Sequence, residues 1–280
     1  MPVIDHFLYG AVTPVLAYAL SCTGAATALS CTSRARAATR AGRLVWLALG
    51  AISLGGTGIW VMHFIAMLGF GASGVTIRYD IPLTLLSALI AIVVVGAGLL
   101  IVDLGRGAGP SIVAGGLLAG IGVAGMHYMG MSAMKTSAEV TYDPVLVATS
   151  VVIAVVAAIA ALWCTVHIRG IAAMIVATLV MGIAVTGMHY TGMSGVSLAN
   201  PTNTVPGGAD TTELLLPLVM GVSVVTFMLI LVIGLWPTES EIRAQAEFEA
   251  KLKQRRIERE NSLVAERTVT EAVRRQDQLR

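Results

Sequence analysis

Three short segments stand out in the apolar part of this chain: V-M-H-F-I-A-M at 61–67, G-M-H-Y-M-G-M at 125–131 and G-M-H-Y-T-G-M at 187–193. Each places a histidine, His63, His127 or His189, directly after one methionine and four residues before another. The methionines are Met62 and Met67, Met126 and Met131, and Met188 and Met193. On a helix the histidine and the methionine four residues on share one face, while the preceding methionine flanks it. A buried imidazole needs a polar partner, so a hydrogen bond to a neighbouring helix is the plain reading of any one copy. Ordinary packing is the plain reading of any one methionine. Three matched copies hold three of the five histidines and six of the thirteen methionines, which favours a shared chemical task.

Neutral imidazole and thioether are both metal ligands, and the thioether is soft, which suits Cu(I) better than zinc or magnesium. A zinc site would bring cysteine or carboxylate, and the motifs carry neither. Haem or non-haem iron could use three histidines but would leave the repeated methionine unexplained. Copper is therefore the expected cofactor, held by the nine residues named above.

The elements that position these residues are legible from composition. The chain of 280 residues is 56% hydrophobic and 12% charged, with a mean hydropathy of +0.83. That is about half the charge of a soluble domain, where roughly a quarter of residues are charged. Apolar runs of roughly 20 residues, long enough to cross a bilayer as helices, recur at 8–29, 44–70, 81–102, 112–134, 145–166, 171–193 and 214–236. The expected fold is an all-α membrane protein with seven transmembrane helices. M-P-V-I-D-H-F lacks the basic start of a removable signal peptide, so the first span is expected to be retained.

His63, His127 and His189 are 64 and 62 residues apart. That period covers two crossings, so the copies run in one direction and form three parallel helix-pair repeats. Tyr79-Asp80 and Tyr142-Asp143 follow the first two motifs, each just ahead of a proline, Pro82 or Pro144. With His6 and Lys135 they are candidates for outer contacts to the site. The small residues Ala66, Gly130 and Gly192 precede the second methionine of each copy, and such residues let helices approach closely in lipid.

Lysine and arginine are segregated. Arg34, Arg36, Arg40, Arg43, Arg106 and Arg169 fall with the charged tail on one side, while Arg78 and Lys135 fall on the other. The positive-inside rule then places the N-terminus outside, the tail in the cytoplasm, and the three motifs near the outer face. Cys22, Cys31 and Cys164 show no metal or disulfide pattern, and nothing points to nucleic acid. The tail is rich in helix formers, with Phe248, Leu252, Ile257, Leu263, Val264, Val269 and Val273 as its apolar positions. They do not keep a clean heptad, so a homodimer through this helix stands beside a solvated or lipid-facing one.

M-H-Y followed by G-M, repeated in alternate spans, resembles the MHYT domain, a bacterial integral-membrane sensor module. Met126-His127-Tyr128 and Met188-His189-Tyr190 match its naming residues, and Met62-His63-Phe64 departs by Phe for Tyr. The resemblance covers about residues 8–200. It implies a copper site near the outer face that senses O2, CO or NO, in a bacterial plasma membrane. It also implies a cytoplasmic signalling partner or an output domain beyond the tail. The organisation expected is a six-helix sensor domain at 1–200, an outer loop and seventh span at 201–236, and a cytoplasmic helix or linker at 237–280. The chain itself is expected to be a sensor and not an enzyme. A copper transporter or channel is the alternative, although Met174, Met181 and Met220 are the few soft ligands in the inner half of the spans.

Overall fold

A computed structural model of the chain describes residues 2–202, 204–235, 247–256 and 258–259. Among the described residues, seven helical segments are long and apolar enough to cross a membrane. The first is α1 (Val12–Ala37). The second is composite: α2 (Arg40–Ala51), a π-helical stretch (Ile52–Val61) and α3 (Met62–Leu68) follow one another without a break. Then come α4 (Ile81–Leu104), α5 (Gly109–Ala133), α6 (Pro144–His167), α7 (Ile171–Ser194) and α8 (Thr211–Leu235).

Local chemistry sets several of these boundaries. Asp80 caps α4 by accepting from the Leu83 amide, and Asp143 caps α6 by accepting from Val145 and Leu146. Pro82, Pro110 and Pro144 occupy the first turns of α4, α5 and α6, where the missing amide proton costs nothing.

Two expectations are corrected. The first helix does not end near residue 29; it continues to Ala37 and carries Arg34 and Arg36 in its last turns. The Arg34 guanidinium donates to the Ile233 carbonyl at 2.6 Å and lies 5.3 Å from the centre of the Trp46 ring, so the charge has partners and the helix need not stop. The second span is not one regular helix. Its π-helical part packs so closely on α1 that a Cβ added to Gly24 would run into the backbone of Gly58 and the Ser53 carbonyl. Backbones in such contact, with little side chain between them, are where small residues and helix irregularities recur.

The first six spans form a closed ring in chain order, with α7 returning to pack on α1. Motif-bearing helices (α3, α5 and α7) alternate around it with α1, α4 and α6. Short antiparallel ribbons close each helix pair at the motif end. Strand β1 (Ile4–Asp5) pairs with β2 (Gly71–Ala72), β3 (Ile77–Tyr79) with β4 (Met134–Thr136), and β5 (Glu139–Tyr142) with β6 (Val196–Ala199). A further short strand, β7 (Ala209–Asp210), adds to β3. Each unit is therefore strand, helix, motif helix, strand, used three times. α8 lies against the ring through a Thr57–Thr226 hydroxyl pair at 2.6 Å.

The chain divides into two compact units, 1–233 and 234–280. Within the second, residues 247–256 are helical, with Phe248 and Leu252 exposed. The apolar positions Ile257, Leu263, Val264, Val269 and Val273 lie outside the described residues.

Candidate metal centre

α3, α5 and α7 each bring one imidazole to the ring axis near their C-terminal ends. His63, His127 and His189 are each about 1% exposed. The His63 and His189 Nδ1 atoms lie 3.0 Å apart, and those of His127 and His63 lie 3.2 Å apart. The three rings stand nearly perpendicular to one another, at interplanar angles of 80°, 80° and 88°, with centroids 4.9–5.2 Å apart. Three nitrogens thus converge on one point from three helices.

Hydrogen bonding among the rings cannot satisfy this arrangement. Each Nδ1 carries either one proton or one lone pair, so three converging atoms allow one good N–H···N bond and leave the third without a partner. Among the described residues, the three imidazoles form hydrogen bonds only with one another. A metal ion accepts all three lone pairs at once. Nitrogens sharing one ion at roughly 2.0–2.1 Å lie about 3.3–3.6 Å apart, close to the 3.0 and 3.2 Å of the two edges on His63, and all three donor atoms lie within 4.8 Å of one another. The donor set therefore fits a metal ion.

The far sides of the His63 and His127 rings explain the two motif glycines. A Cβ on Gly130 would lie 2.5 Å from His63 Nε2, and one on Gly192 would lie 2.6 Å from His127 Nε2. The glycine of one copy is thus the seat for the imidazole of the copy before it. This pairing runs between helices, which is why spacing along one helix did not show it.

The six motif methionines are all buried, none more than 2% exposed. Met188 also lines an apolar cavity of about 50 Å³, together with Ile59, Val123 and Val185, the residues one turn before each histidine.

The aromatic after each histidine packs edge-on to its ring and then against a second aromatic. Phe64 meets Tyr79, Tyr128 meets Tyr142, and Tyr190 meets Phe7. Tyr128 also shares a 2.6 Å hydroxyl pair with Ser150. The corresponding serine in the first copy is Ser87, and the aromatic of that copy, Phe64, has no hydroxyl. The Trp60 indole N–H donates to Ser87 instead, at 2.9 Å. Tryptophan thus supplies the partner that the Tyr-to-Phe difference removes, a compensation hidden until the π-helical stretch and α4 are packed.

Of the suggested outer contacts, Asp80 and Asp143 are helix caps, and Lys135 lies 3.8 Å from Asp80. Tyr79 and Tyr142 pack on the motif aromatics, and burial pushes both phenols above their usual range. His6 packs against Phe70 and is held below the usual histidine range by burial, partly offset by Asp5. None of them touches an imidazole of the triad through a hydrogen bond.

Three consecutive matches to the MHYT family, described as the N-terminal repeat of bacterial signalling proteins, cover residues 56–116, 120–178 and 182–244. This chain belongs to the MHYT family. The MHYT repeat so matched begins just before each histidine and runs through the following span, so the third copy includes α8. Among curated relatives, the chain is 42% identical over 156 residues to the bifunctional diguanylate cyclase/cyclic di-GMP phosphodiesterase MucR of Pseudomonas aeruginosa, covering 54% of this chain and 22% of the relative. It is 36% identical over 209 residues to the cyclic di-GMP phosphodiesterase NbdA of the same organism, covering 72% and 26%. An uncharacterized signalling protein of Caulobacter vibrioides is 33% identical over 223 residues, covering 78% and 26%. The chain spans about a quarter of the length of these relatives. No solved structure matches it significantly.

Proposed function

We propose that this MHYT protein is a membrane sensor that holds copper at the His63–His127–His189 triad and signals a diatomic gas, O2, CO or NO, or a redox state to the cytoplasm. The convergence of three buried Nδ1 atoms carries this reading. Copper in particular rests on the six buried thioethers that the motifs carry, which favour a soft ion. A bound copper ion would supply a coordination position for such a gas, or a one-electron change of charge. The protein's own part is to fix the imidazoles, to exclude water from them, and to offer an apolar path. The cavity beneath the triad suits a small apolar guest, since genuinely apolar cavities of modest size stay dry.

We also infer that the triad end faces outward in a bacterial plasma membrane and that the arginine-rich end faces the cytoplasm, on the distribution of basic residues. Reporters fused after Arg40 and after Arg106 are expected to read as cytoplasmic, and one after Thr141 as external. A cytoplasmic signal at Thr141 would remove the outward-facing site.

In this reading the chain catalyses nothing itself. It biases an output in the cytoplasm, on the same polypeptide or on a partner; the relatives are named as cyclic di-GMP enzymes, which supports an output of that signalling kind. The transporter alternative is disfavoured by the cavity below the triad. Its lining carries no hydroxyl, carboxylate or nitrogen side chain, and the buried Leu54 and Leu162 form part of its wall. An ion moving inward would meet only Met181 and Met188 before an apolar barrier.

Metal analysis of the purified protein is expected to find copper in preference to zinc or iron; zinc in its place would overturn the soft-ligand argument. A second measurement separates sensing from transport. A spin label at Phe248→Cys, with Cys22, Cys31 and Cys164 replaced by alanine, is expected to change mobility when copper is added. Copper accumulation in vesicles should stay at background. Uptake that depends on His127, with an unresponsive label, would make the transporter reading the better one.

A further inference from the structure

At the end of the ring opposite the triad lies a second, larger cavity of about 330 Å³. Its charged wall is Arg36 of α1, Arg43 of α2, Asp103 of α4 and Arg106 of the α4–α5 turn, with the Thr32 and Thr165 hydroxyls beside them, and its apolar wall includes Leu47 and Leu99. Three guanidinium groups face one carboxylate, so the site is formally positive by two charges. Asp103 engages Arg43 at 3.5 Å. That leaves Arg36 Nη1 and Arg43 Nε buried with no acceptor among the described residues. Guanidinium N–H groups without a partner are costly in a buried setting, and the site thus offers donors that no protein oxygen takes up.

Two further features mark this as a built site. Arg106 adopts φ +54°, in the left-handed region that an L side chain rarely enters, and Gly107 follows at φ +73° with Val166 of α6 packed against it. The turn that delivers the Arg106 side chain is therefore pinned in an uncommon conformation. Second, Arg43, Asp103 and Arg106 also wall an adjoining cleft of about 440 Å³. The rest of that cleft includes Leu44, Leu100 and Leu104, which are 53%, 38% and 73% exposed and so lie on the outer face of the bundle. Positive charge inside and leucines toward the hydrocarbon make an amphipathic entrance.

We propose that this cavity binds the phosphate group of an anionic phospholipid. Planar guanidinium forks match phosphate oxygens, which would accept from the nitrogens now without partners. The lateral, leucine-lined opening distinguishes a lipid from a soluble phosphate, because it gives the glycerol and acyl portion an apolar wall. Basic pockets between spans at the cytoplasmic end of a bundle suit such headgroups. A phosphate seated there bridges α1, α2 and the α4–α5 turn, and so adds to the Arg43–Asp103 pair that already joins α2 to α4. The inference rests on the bilayer placement of the ring and is independent of any metal at the triad.

The test is native mass spectrometry of the detergent-purified, delipidated full chain, titrated with phosphatidylglycerol, with phosphatidylcholine, or with inorganic phosphate. Tight retention of about one phosphatidylglycerol, with phosphatidylcholine and inorganic phosphate bound much more weakly, is expected. Arg36→Gln and Arg106→Gln should each weaken phosphatidylglycerol binding at least about fivefold. Arg36→Lys keeps the charge and the insertion signal but loses the fork, so it should fall between the parent and Arg36→Gln. It also serves if a glutamine variant fails to fold. Equal retention of phosphatidylcholine, or unchanged binding in Arg36→Lys and the glutamine variants, would overturn the site. Inorganic phosphate displacing the lipid at similar concentration would overturn the lipid assignment and leave a soluble anion. Copper content should stay unchanged in all three variants, so failure here is distinguishable from failure of the sensor reading.

Discussion

Replacing His63, His127 and His189 together by alanine is expected to bring copper in the purified protein to background while the chain still inserts with seven spans. The three Nδ1 atoms are the convergent donors of the site, at 3.0 and 3.2 Å along two edges, and no carboxylate or thiol among the described residues joins them. Each single replacement leaves two imidazoles. Even disturbing an outer partner of a metal ligand commonly costs roughly 10–100-fold in affinity, so loss of a ligand itself should cost at least as much. Insertion is set by the apolar length of the spans, which the replacements do not shorten. A triple variant that kept the parent's copper would return the histidines to a structural role and end the sensor proposal at this site.

Gly130→Ala and Gly192→Ala are expected to lower copper retention about tenfold or more, although neither residue is a ligand and the change is one methyl group. The added carbon would stand 2.5 Å from His63 Nε2 in one case and 2.6 Å from His127 Nε2 in the other. A ring so pressed must move, and its Nδ1 moves with it, away from the other two. Overpacking a fitted interior costs about 1–3 kcal/mol, so stability should fall as well. Controls lie on the same helices. A Cβ on Gly125 or Gly187 would meet nothing within 4 Å, so alanine there should leave copper unchanged. Exchanging glycine for alanine in an open helix position should stabilise slightly, by up to about 1 kcal/mol. If Gly125→Ala and Gly130→Ala behaved alike, the seat between copies would not be what positions the triad.

How much of this was legible beforehand depends on the range of the interaction. The spans were, because crossing a bilayer is a condition on contiguous apolar length, and each observed helix overlaps the stretch expected for it. That His63, His127 and His189 lie at one level on one side was also legible, since spacings of 64 and 62 residues return the chain to the same side after two crossings; that they share one site was not. The extension of α1 to Ala37 was not. Arg34 reads as a loop residue until Ile233, far away in sequence, and Trp46 of the next helix are there to receive it. Asp80 and Asp143 read as possible outer contacts of the site, yet each is satisfied within its own first helical turn.

The amino-acid sequence by itself determined the apolar helices, their number, the threefold repetition and the level at which the histidines lie. All of these follow from composition and spacing along one strand of chain. Only the tertiary structure decided that the imidazoles meet through Nδ1, that Gly130 seats His63 while Gly192 seats His127, and that Trp60 stands in for a missing tyrosine hydroxyl at Ser87. It also decided the ribbons that pair Ile4 with Ala72 and Tyr142 with Val196. The physical reason is that these depend on the rotation and separation of neighbouring helices. In lipid those are set by side-chain fit between surfaces and not by a hydrophobic stripe on either one. A glycine carries no sign of which ring it will hold until the other helix is beside it.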